Sequence, residues 1–367
     1  MKHEGNGNDH HSASIILPTR GKDKHHSVLV QGPNLIRLIV GIVGISSCSL
    51  AHAAESVLPP AQLYEQAKRA SAEILIDGRH GGSGCFVSEE GLVITAAHIP
   101  GRPGRNIEVL TSDGGRLKAT VVAVDLGHDL ILLRVAPREG GYPVLKLGAE
   151  VPPPGAGVFL YSASAFRHGL LQTGTVARDG LTFEQQGHFI EVTQIAAVVQ
   201  EGTSGGPWIN REGGLIGVQS GSITNKSVPG GIANVSPVHA VRVLLETKRN
   251  ASTPVIGVFV DELWVLPPDQ QRRFPPAQEG MVVQSLQPDG PAARAGINKG
   301  EVLVAVDGQK VRLRDDYVRL VRAKKPGQSV ELTLIGADGT GTRKVTVPIG
   351  KLEVGWPEEN AAGGESP

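Results

Sequence analysis

Ser204 is the residue with the clearest chemical potential, because it lies in the glycine-rich run Gly202-Thr-Ser-Gly-Gly-Pro207. A serine hydroxyl is a weak nucleophile until a neighbouring base takes its proton, and the oxyanion of an acyl-transfer reaction needs hydrogen-bond donors. Small neighbours permit a tight turn and let a substrate carbonyl approach. The run therefore predicts a nucleophile at Ser204, with the backbone N–H groups of Gly202 and Ser204 as an oxyanion hole.

Two other residues are candidates for the remaining catalytic roles. His98 follows the apolar run Leu92–Ala96, and Asp129 precedes the apolar run Leu130–Val135. Such runs predict buried strands, so both side chains are expected at strand ends. There the imidazole can act as general base while the carboxylate fixes its tautomer and stabilises the imidazolium. The order His98, Asp129, Ser204 is the chymotrypsin order of this triad.

The other histidines are weaker candidates. His128 precedes Asp129, and adjacent strand residues point to opposite faces, so only one of the two is expected to face the site. His80, His98 and His128 lack the spacing of a metal-ligand set. The sequence therefore predicts no metal and no cofactor.

The elements that must position these residues are short and β-like. The 48 glycines and 25 prolines make up about a fifth of the 367 residues, against roughly 12% in average usage. Many short apolar runs at close spacing predict an all-β barrel or sandwich. The predicted strands are 74–76, 84–87, 92–96, 106–110, 119–124, 130–135, 157–160, 190–192, 215–220 and 231–235. Helices are predicted over 61–72 and 238–248, and a linker over 249–254.

A second module follows at about 255–350. Strand-like runs at 256–260, 281–283, 301–306, 329–334 and 343–347 alternate with helical segments at 291–296 and 314–323, and a proline-rich loop spans 266–276. The polar residues 351–367 are predicted to be a disordered tail.

The N-terminus has the pattern of an export signal. Arg37 precedes an uncharged stretch of 14 residues from Leu38 to Ala51, which is shorter than the roughly 20 residues of a membrane-spanning helix. Small residues at Ala51 and Ala53 fit signal cleavage after residue 53. Two alternatives stay open: Cys48 as an acylated lipoprotein anchor, and an uncleaved anchor. All three predict export, most simply to a bacterial periplasm, with membrane attachment only in the latter two cases.

Composition excludes several function classes. Lys+Arg and Asp+Glu both number 36, so no overall basic field attracts nucleic acid. Two cysteines, Cys48 and Cys85, cannot form a disulfide framework or a cysteine zinc site. Cys85 is expected to be a small buried hydrophobe.

On these residues the chain resembles the HtrA/Deg-type trypsin-like serine proteases with one C-terminal PDZ domain. The resemblance rests on the segments 82–98 (GSGCFVSEEGLVITAAH), 128–135 (HDLILLRV), 201–210 (EGTSGGPWIN) and 213–220 (GGLIGVQS). It implies a mainly β chain: a chymotrypsin-like double β-barrel at 54–250, after the leader 1–53, and a PDZ domain at 251–350. Glu201 and Thr203 depart from the family pattern beside the nucleophile, which leaves the resting geometry of the oxyanion loop open.

The resemblance also implies a substrate pocket. Val198 occupies the position six residues before the nucleophile, where trypsin carries an acidic residue on the pocket floor. Ile232 and Ala233 are implied as wall residues. A small apolar pocket would favour cleavage after Val, Ala or Ile.

The second module resembles a PDZ domain in three places. Val255-Ile256-Gly257-Val258 matches the carboxylate-binding loop, whose N–H groups hold a peptide C-terminus. Residues 290–296 and 300–308 carry the other marks. The resemblance implies unfolded proteins and peptide C-termini as partners, and a homotrimer packed around Leu63 and Tyr64.

The sequence thus predicts an exported, ATP-independent serine endopeptidase of protein quality control. Two alternatives stay open: a peptide-binding chaperone or scaffold with a dormant protease site, and a regulated signalling protease that cuts a single envelope protein. The natural substrate, the activating signal and the assembly size are not encoded in any motif.

Overall fold

The computed structural model describes residues 57–101, 103–225 and 228–353. The predicted leader 1–53 with Cys48 and most of the predicted tail, from residue 354 onward, lie outside the described residues. Helix α1 (Pro60–Ala70) opens this part of the chain and is followed without a gap by the first strand. Within the described residues no helix has the length and apolar character needed to cross a membrane.

The first six strands form a closed barrel. They are β1 (Ser71–Ile76), β2 (Arg79–Ser88), β3 (Leu92–Ala96), β4 (Ile107–Thr111), β5 (Arg116–Asp125) and β6 (Leu130–Val135). Their order around the barrel is β1-β2-β3-β6-β5-β4. The strands β3 and β6 are the most completely buried, as their continuous apolar sequence requires. Their antiparallel pairing brings the end of β3 beside the start of β6.

The next seven strands form a second barrel. They are β7 (Gly157–Ser162), β8 (Leu170–Val176), β9 (Thr182–Gln185), β10 (Phe189–Ala196), β11 (Pro207–Ile209), β12 (Leu215–Asn225) and β13 (Val228–Pro237). Six of them close through the β13–β10 pairing, and β9 extends the sheet beyond β10. Trp208 is fully buried at the centre and donates from Nε1 to Gln219 Oε1 at 2.8 Å. Helix α2 (Val238–Thr247) then packs its buried face beside the barrels.

The remaining residues form a smaller sheet with short helices. The elements are β14 (Pro254–Val255), β15 (Val258–Glu262), α3 (Pro268–Gln271), β16 (Met281–Leu286), α4 (Pro291–Arg294), β17 (Val302–Val306), β18 (Gln309–Lys310), α5 (Arg314–Arg322), β19 (Ser329–Ile335), β20 (Thr342–Pro348) and β21 (Gly350–Lys351). The main sheet has the order β15-β16-β17-β19-β20. The chain is mainly β with two barrels followed by this third unit, which confirms the predicted fold class.

Several local predictions were wrong. The first helix ends at Ala70, two residues early, because Ser71 and Ala72 already pair with β2. Strands β8, β9 and β11 were missed, since β8 and β9 are half-exposed and polar and β11 has three residues. The predicted tail begins too early, because Lys351 pairs with Pro254 and Leu352 N–H donates to Thr253 C=O at 2.8 Å.

The residues proposed for trimer packing also need correction. Leu63 is fully buried in the core of its own chain, against Ala67 and Tyr161 among others, so it offers no surface to a neighbour. Tyr64 is half-buried, with its ring edge-on to Tyr161 at 5.6 Å. Cys85 is buried as expected, and this burial raises the pKa of its thiol.

Candidate active site

The β3–β6 pairing brings His98 and Asp129 together. Ala96 pairs with Leu130, so the residues just beyond these two positions meet at the barrel rim. Asp129 Oδ2 lies 2.8 Å from His98 Nδ1, and Asp129 Oδ1 accepts the backbone N–H of His98 at 3.0 Å. Asp129 is 5% exposed while the His98 side chain is 36% exposed. The carboxylate is therefore a buried anchor, and the imidazole presents its other edge outward.

Asp129 itself is fixed from several directions. Its φ of 53° lies in the left-handed region, which Asp tolerates better than most residues. Its carbonyl accepts the Ala97 N–H at 3.0 Å, and Ser220 Oγ donates to its Oδ2. No motif predicted this role of Ser220, although Ser220 ends the segment 213–220 that resembles the family.

The electrostatics of His98 suit a general base. Burial disfavours the charged imidazolium, but the charge of Asp129 and its hydrogen bond outweigh that effect, so the pKa of His98 is raised above its ordinary value. The Nδ1 bond to Asp129 requires the proton on Nδ1 in the neutral ring, which leaves Nε2 as the acceptor.

The loop carrying Ser204 is possible only because glycines flank the serine. Gly205 has a φ of +81°, and a Cβ there would lie 2.0 Å from the carbonyl oxygen of Ser83. Gly202 has a φ of +88°, and a Cβ there would lie 2.3 Å from the carbonyl oxygen of Ala163. Any larger residue at either position would push the nucleophile loop away from its neighbours.

Hydrogen bonds fix the orientation of the peptide groups in this loop. Ala165 N–H donates to Glu201 C=O at 2.7 Å, and Gly206 N–H donates to Thr203 C=O at 2.8 Å. In a trans peptide the N–H points away from the carbonyl that precedes it. The Gly202 N–H shares a peptide group with the Glu201 carbonyl, and the Ser204 N–H shares one with the Thr203 carbonyl, so both N–H groups point away from these hydrogen bonds. Neither N–H donates to another residue in the described part of the chain.

Ser83 supports this loop from the first barrel. Its Oγ donates to Gly202 C=O at 2.8 Å and accepts Ala163 N–H at 3.0 Å. Its backbone N–H donates to Ser204 C=O at 2.7 Å. Thr203, one of the departures from the family pattern, bonds its own hydroxyl to Gln200 C=O at 2.6 Å. Ser83 belongs to a quoted family segment, but its sequence position gave no sign of this supporting role.

The Ser204 side chain has a hydrogen-bond partner other than the histidine. Its Oγ donates to Ser220 C=O at 3.4 Å, and no hydrogen bond joins it to His98 within the described residues. A hydrogen bond from Ser204 Oγ to His98 Nε2 must form before the imidazole can accept its proton.

A cavity of about 570 Å³ connects this site with the third unit. Its wall includes His98 and Asp129 on one side and residues 254–259 of the predicted carboxylate-binding loop on the other. Gly257 has a φ of +74° in that loop, so the strand predicted over 256–260 begins only at Val258, as β15, and the short strand β14 precedes the loop. The predicted catalytic site and the predicted carboxylate-binding loop, which are far apart in the sequence, therefore open into the same cavity.

The β9–β10 hairpin joins the second barrel to the third unit. Phe183 and Phe189 are buried with Val258 and Val318 of that unit, and Phe189 lies 5.9 Å from Phe259, between ring centres. Further bonds cross the same boundary: Thr182 Oγ1 donates to Asp315 Oδ2 at 2.6 Å, and Arg322 donates to the Phe189 carbonyl.

The turn of this hairpin contacts the candidate catalytic residues. Gln186 Nε2 lies 3.4 Å from His98 Nδ1, and Gln186 Oε1 lies 3.4 Å from Ser220 Oγ, whose hydrogen is donated to Asp129. The hairpin therefore contacts both the candidate peptide-binding unit and the His98 environment.

The predicted pocket residues divide into two groups. Val198 is 56% exposed and follows β10. Ala233 pairs with Ile195 and is fully buried in the second barrel's core, so its prediction as a pocket wall is wrong. Ile232, its neighbour, points to the opposite face because side chains alternate along a strand, and it is partly exposed.

Comparison with known proteins defines the class. A trypsin-like peptidase domain model matches residues 82–218, and a PDZ domain model matches residues 282–335. The solved structure of the HtrA-type protease AlgW with decapeptide covers 81% of this chain and 99% of its own, at a TM-score of 0.59 and 21% identity. The chain is thus a trypsin-like peptidase domain followed by a PDZ domain, as the sequence analysis predicted.

The curated relatives are HtrA- and DegP-type serine proteases. A probable periplasmic DegP-like serine endoprotease of Halomonas elongata is 29% identical over 289 residues, which covers 78% of this chain and 58% of the relative. Human serine protease HTRA3 is 30% identical over 268 residues, which covers 67% of this chain and 57% of the relative. The chain therefore matches less than two thirds of the length of these relatives.

Proposed function

We propose that this protein is an ATP-independent serine endopeptidase in which Ser204 is the nucleophile, His98 the general base and Asp129 the residue that orients the base. The observation that carries this proposal is the double contact of buried Asp129 with both Nδ1 and the backbone N–H of His98. That contact fixes the ring, its tautomer and its position at the cavity rim.

The reaction follows from these groups. Once Ser204 Oγ is hydrogen-bonded to His98 Nε2, this nitrogen takes its proton as Oγ attacks the substrate carbonyl, and the free N–H groups of Gly202 and Ser204 stabilise the oxyanion. The imidazolium, held by Asp129, then protonates the leaving amine. A water activated by the same histidine hydrolyses the acyl-enzyme and restores the serine.

The substrate and location proposed are those of protein quality control. We propose unfolded or mislocalised proteins as substrates, cleavage after Val, Ala or Ile, and export to a periplasm. The exposed Val198 supports the apolar specificity, since no carboxylate stands at that position to pair with Lys or Arg. A peptide panel in which the Arg substrate is cut fastest would contradict it.

We further propose that loop 255–258 binds peptide C-termini and that the β9–β10 hairpin couples this binding to His98. A peptide adding a strand beside β15 would approach Phe189 and Phe259, which already pack together. Movement of the hairpin would then reach His98 through Gln186.

One observation favours the second candidate, a peptide-binding chaperone or scaffold. Ser204 Oγ donates to Ser220 C=O and makes no bond to His98 among the described residues, as expected of a dormant nucleophile.

Casein cleavage by the full chain separates the two functions. The wild type and Ser204→Ala are compared with and without peptides that have apolar C-termini. Cleavage that disappears in Ser204→Ala supports the protease, and acceleration by peptide supports the coupling. Peptide binding without cleavage in any condition would contradict the protease and favour the scaffold.

A further inference from the structure

A second histidine-rich cluster lies beside the catalytic residues. His128 Nε2 is 3.6 Å from Glu191 Oε1, and His239 Nε2 is 3.4 Å from the same oxygen. The three potential ligand atoms all lie within 4.8 Å of one another. Each comes from a different element: the turn before β6, strand β10 and helix α2.

The fold holds these three elements together independently of the cluster. Glu191 N–H donates to Gly127 C=O at 2.9 Å, which fixes β10 against the turn that carries His128. Ser236 Oγ donates to the His128 carbonyl, which fixes the same turn against the strand that leads into α2. The side chains therefore converge on a site that the backbone has already built.

The distances suit a tetrahedral metal ion. Zn²⁺ binds His nitrogen and carboxylate oxygen at about 2.0–2.2 Å, which in a tetrahedron separates neighbouring ligand atoms by roughly 3.3–3.6 Å. The separations from Glu191 Oε1 to His128 Nε2 and to His239 Nε2, 3.6 and 3.4 Å, lie at this value. Two histidines and one glutamate with a water as fourth ligand is a known zinc set.

An outer carboxylate orients the first ligand. Asp125 Oδ2 lies 2.8 Å from His128 Nδ1, so it holds the proton on that nitrogen and directs Nε2 at Glu191. A carboxylate behind a metal-binding histidine fixes the tautomer and raises ligand basicity. Asp125 is 5% exposed, and its Oδ1 has no hydrogen-bond partner among the described residues.

Two carboxylates, Asp125 and Glu191, and the Arg322 guanidinium, which interacts electrostatically with both, lie at the cluster. A metal ion binds the neutral imidazole, so its binding displaces any proton on the two ligand nitrogens. We propose that His128, Glu191 and His239 bind Zn²⁺. The ion lies between His128 Nε2 and Glu191 Oε1, which are 3.6 Å apart, and it ties both barrels to α2 one residue from Asp129.

Cobalt tests the geometry directly, because four-coordinate Co²⁺ absorbs much more strongly in the visible range than six-coordinate Co²⁺. Metal-free full-length protein is titrated with Co²⁺ and then with Zn²⁺ in a chelator-buffered competition. We expect a four-coordinate Co²⁺ spectrum in the wild type that Zn²⁺ abolishes. His239→Ala should lose this spectrum and weaken Zn²⁺ binding at least about 100-fold, and Asp125→Asn should weaken it about 10–100-fold.

His239→Ala is the decisive variant because its side chain is 48% exposed, so the core is unaffected. His168→Ala is the matched control: His168 and His80 also contact one glutamate, Glu73, but on its opposite oxygens. Histidines outside the described residues are present in every variant, so any metal that they bind contributes equally to each spectrum. No four-coordinate spectrum in the wild type, or an equal spectrum in His239→Ala, would overturn the proposal. The cluster would then be a set of ion-pair contacts from His128 and His239 to Glu191.

Discussion

Two histidine–aspartate pairs lie side by side in this protein with the same contact and different surroundings. His98 Nδ1 is 2.8 Å from Asp129 Oδ2, and His128 Nδ1 is 2.8 Å from Asp125 Oδ2. Both aspartates are buried. The His98 side chain lines the large cavity and has no partner on Nε2 among the described residues, whereas His128 Nε2 faces Glu191.

The difference lies in what each Nε2 meets. Burial disfavours the charged form of His128, but the hydrogen bond to Asp125 and the nearby charges of Asp125 and Glu191 outweigh it, raising the pKa of His128 to about 9. One carboxylate makes a histidine a better base, while two favour its protonated form, from which a metal ion must displace the proton. A histidine–aspartate contact therefore does not define a catalytic pair; the open Nε2 does.

The strongest test of this comparison replaces each aspartate by asparagine. Asp129→Asn should lower kcat by about 10⁴-fold, because the amide favours the wrong tautomer of His98. Asp125→Asn should lower kcat less than about 10-fold, because Asp125 contacts His128 and makes no hydrogen bond to His98. Peptidase kinetics on the two folded variants measure both values. Losses of similar size would break the distinction between the pairs.

A smaller loss of activity is expected for a substitution of Ser83, whose hydroxyl supports the nucleophile loop beside the His98–Asp129 pair. Ser83→Ala removes the donor to Gly202 C=O and leaves the Ala163 N–H unpaired, at a cost of about 1–3 kcal/mol. We expect kcat to fall about 10–100-fold with little change in KM, since the oxyanion donors act in the transition state.

Ser71→Ala is the matched control for that variant. Ser71 Oγ is also buried but has no hydrogen-bond partner among the described residues, so its removal should leave kcat unchanged. Equal effects of the two substitutions would show that Ser83 does not position the loop.

The smallest effect is a shift in pH dependence. Only neutral His98 can accept the serine proton, and its pKa is raised above 6.5 by Asp129. Activity should therefore fall as the pH drops through that raised pKa, with a midpoint of kcat/KM above 6.5 in the wild type. In Asp129→Asn, burial still lowers the pKa of His98, but the charge of Asp129 no longer raises it. The pH midpoint of the residual activity should therefore be lower than in the wild type. A wild-type midpoint below 6.5 would contradict the described His98 environment.

The sequence was most informative where local chemistry dictates structure. Strands β3 and β6 have the bounds expected from their continuous apolar runs, and the glycines around Ser204 correctly indicated a tight loop. The fold class followed from the same patterns and from the family resemblance.

Contacts made across long sequence separations were not predictable. The roles of Ser83 and Ser220 depend on hydrogen bonds between the two barrels, which no local pattern predicts. Likewise, no spacing rule connects His128, Glu191 and His239. The Ala233 prediction failed because strand alternation, invisible without the β10–β13 register, turns that side chain into the core.

Reaction of the full chain with a fluorophosphonate, which modifies serines only when a neighbouring base activates them, tests the central claim most directly. We predict a single covalent adduct at Ser204 by mass spectrometry, lost in His98→Ala and retained in His128→Ala. No adduct in the wild type with or without apolar C-terminal peptides, or an adduct that persists in His98→Ala, would contradict the assignment of His98 and Ser204 as base and nucleophile.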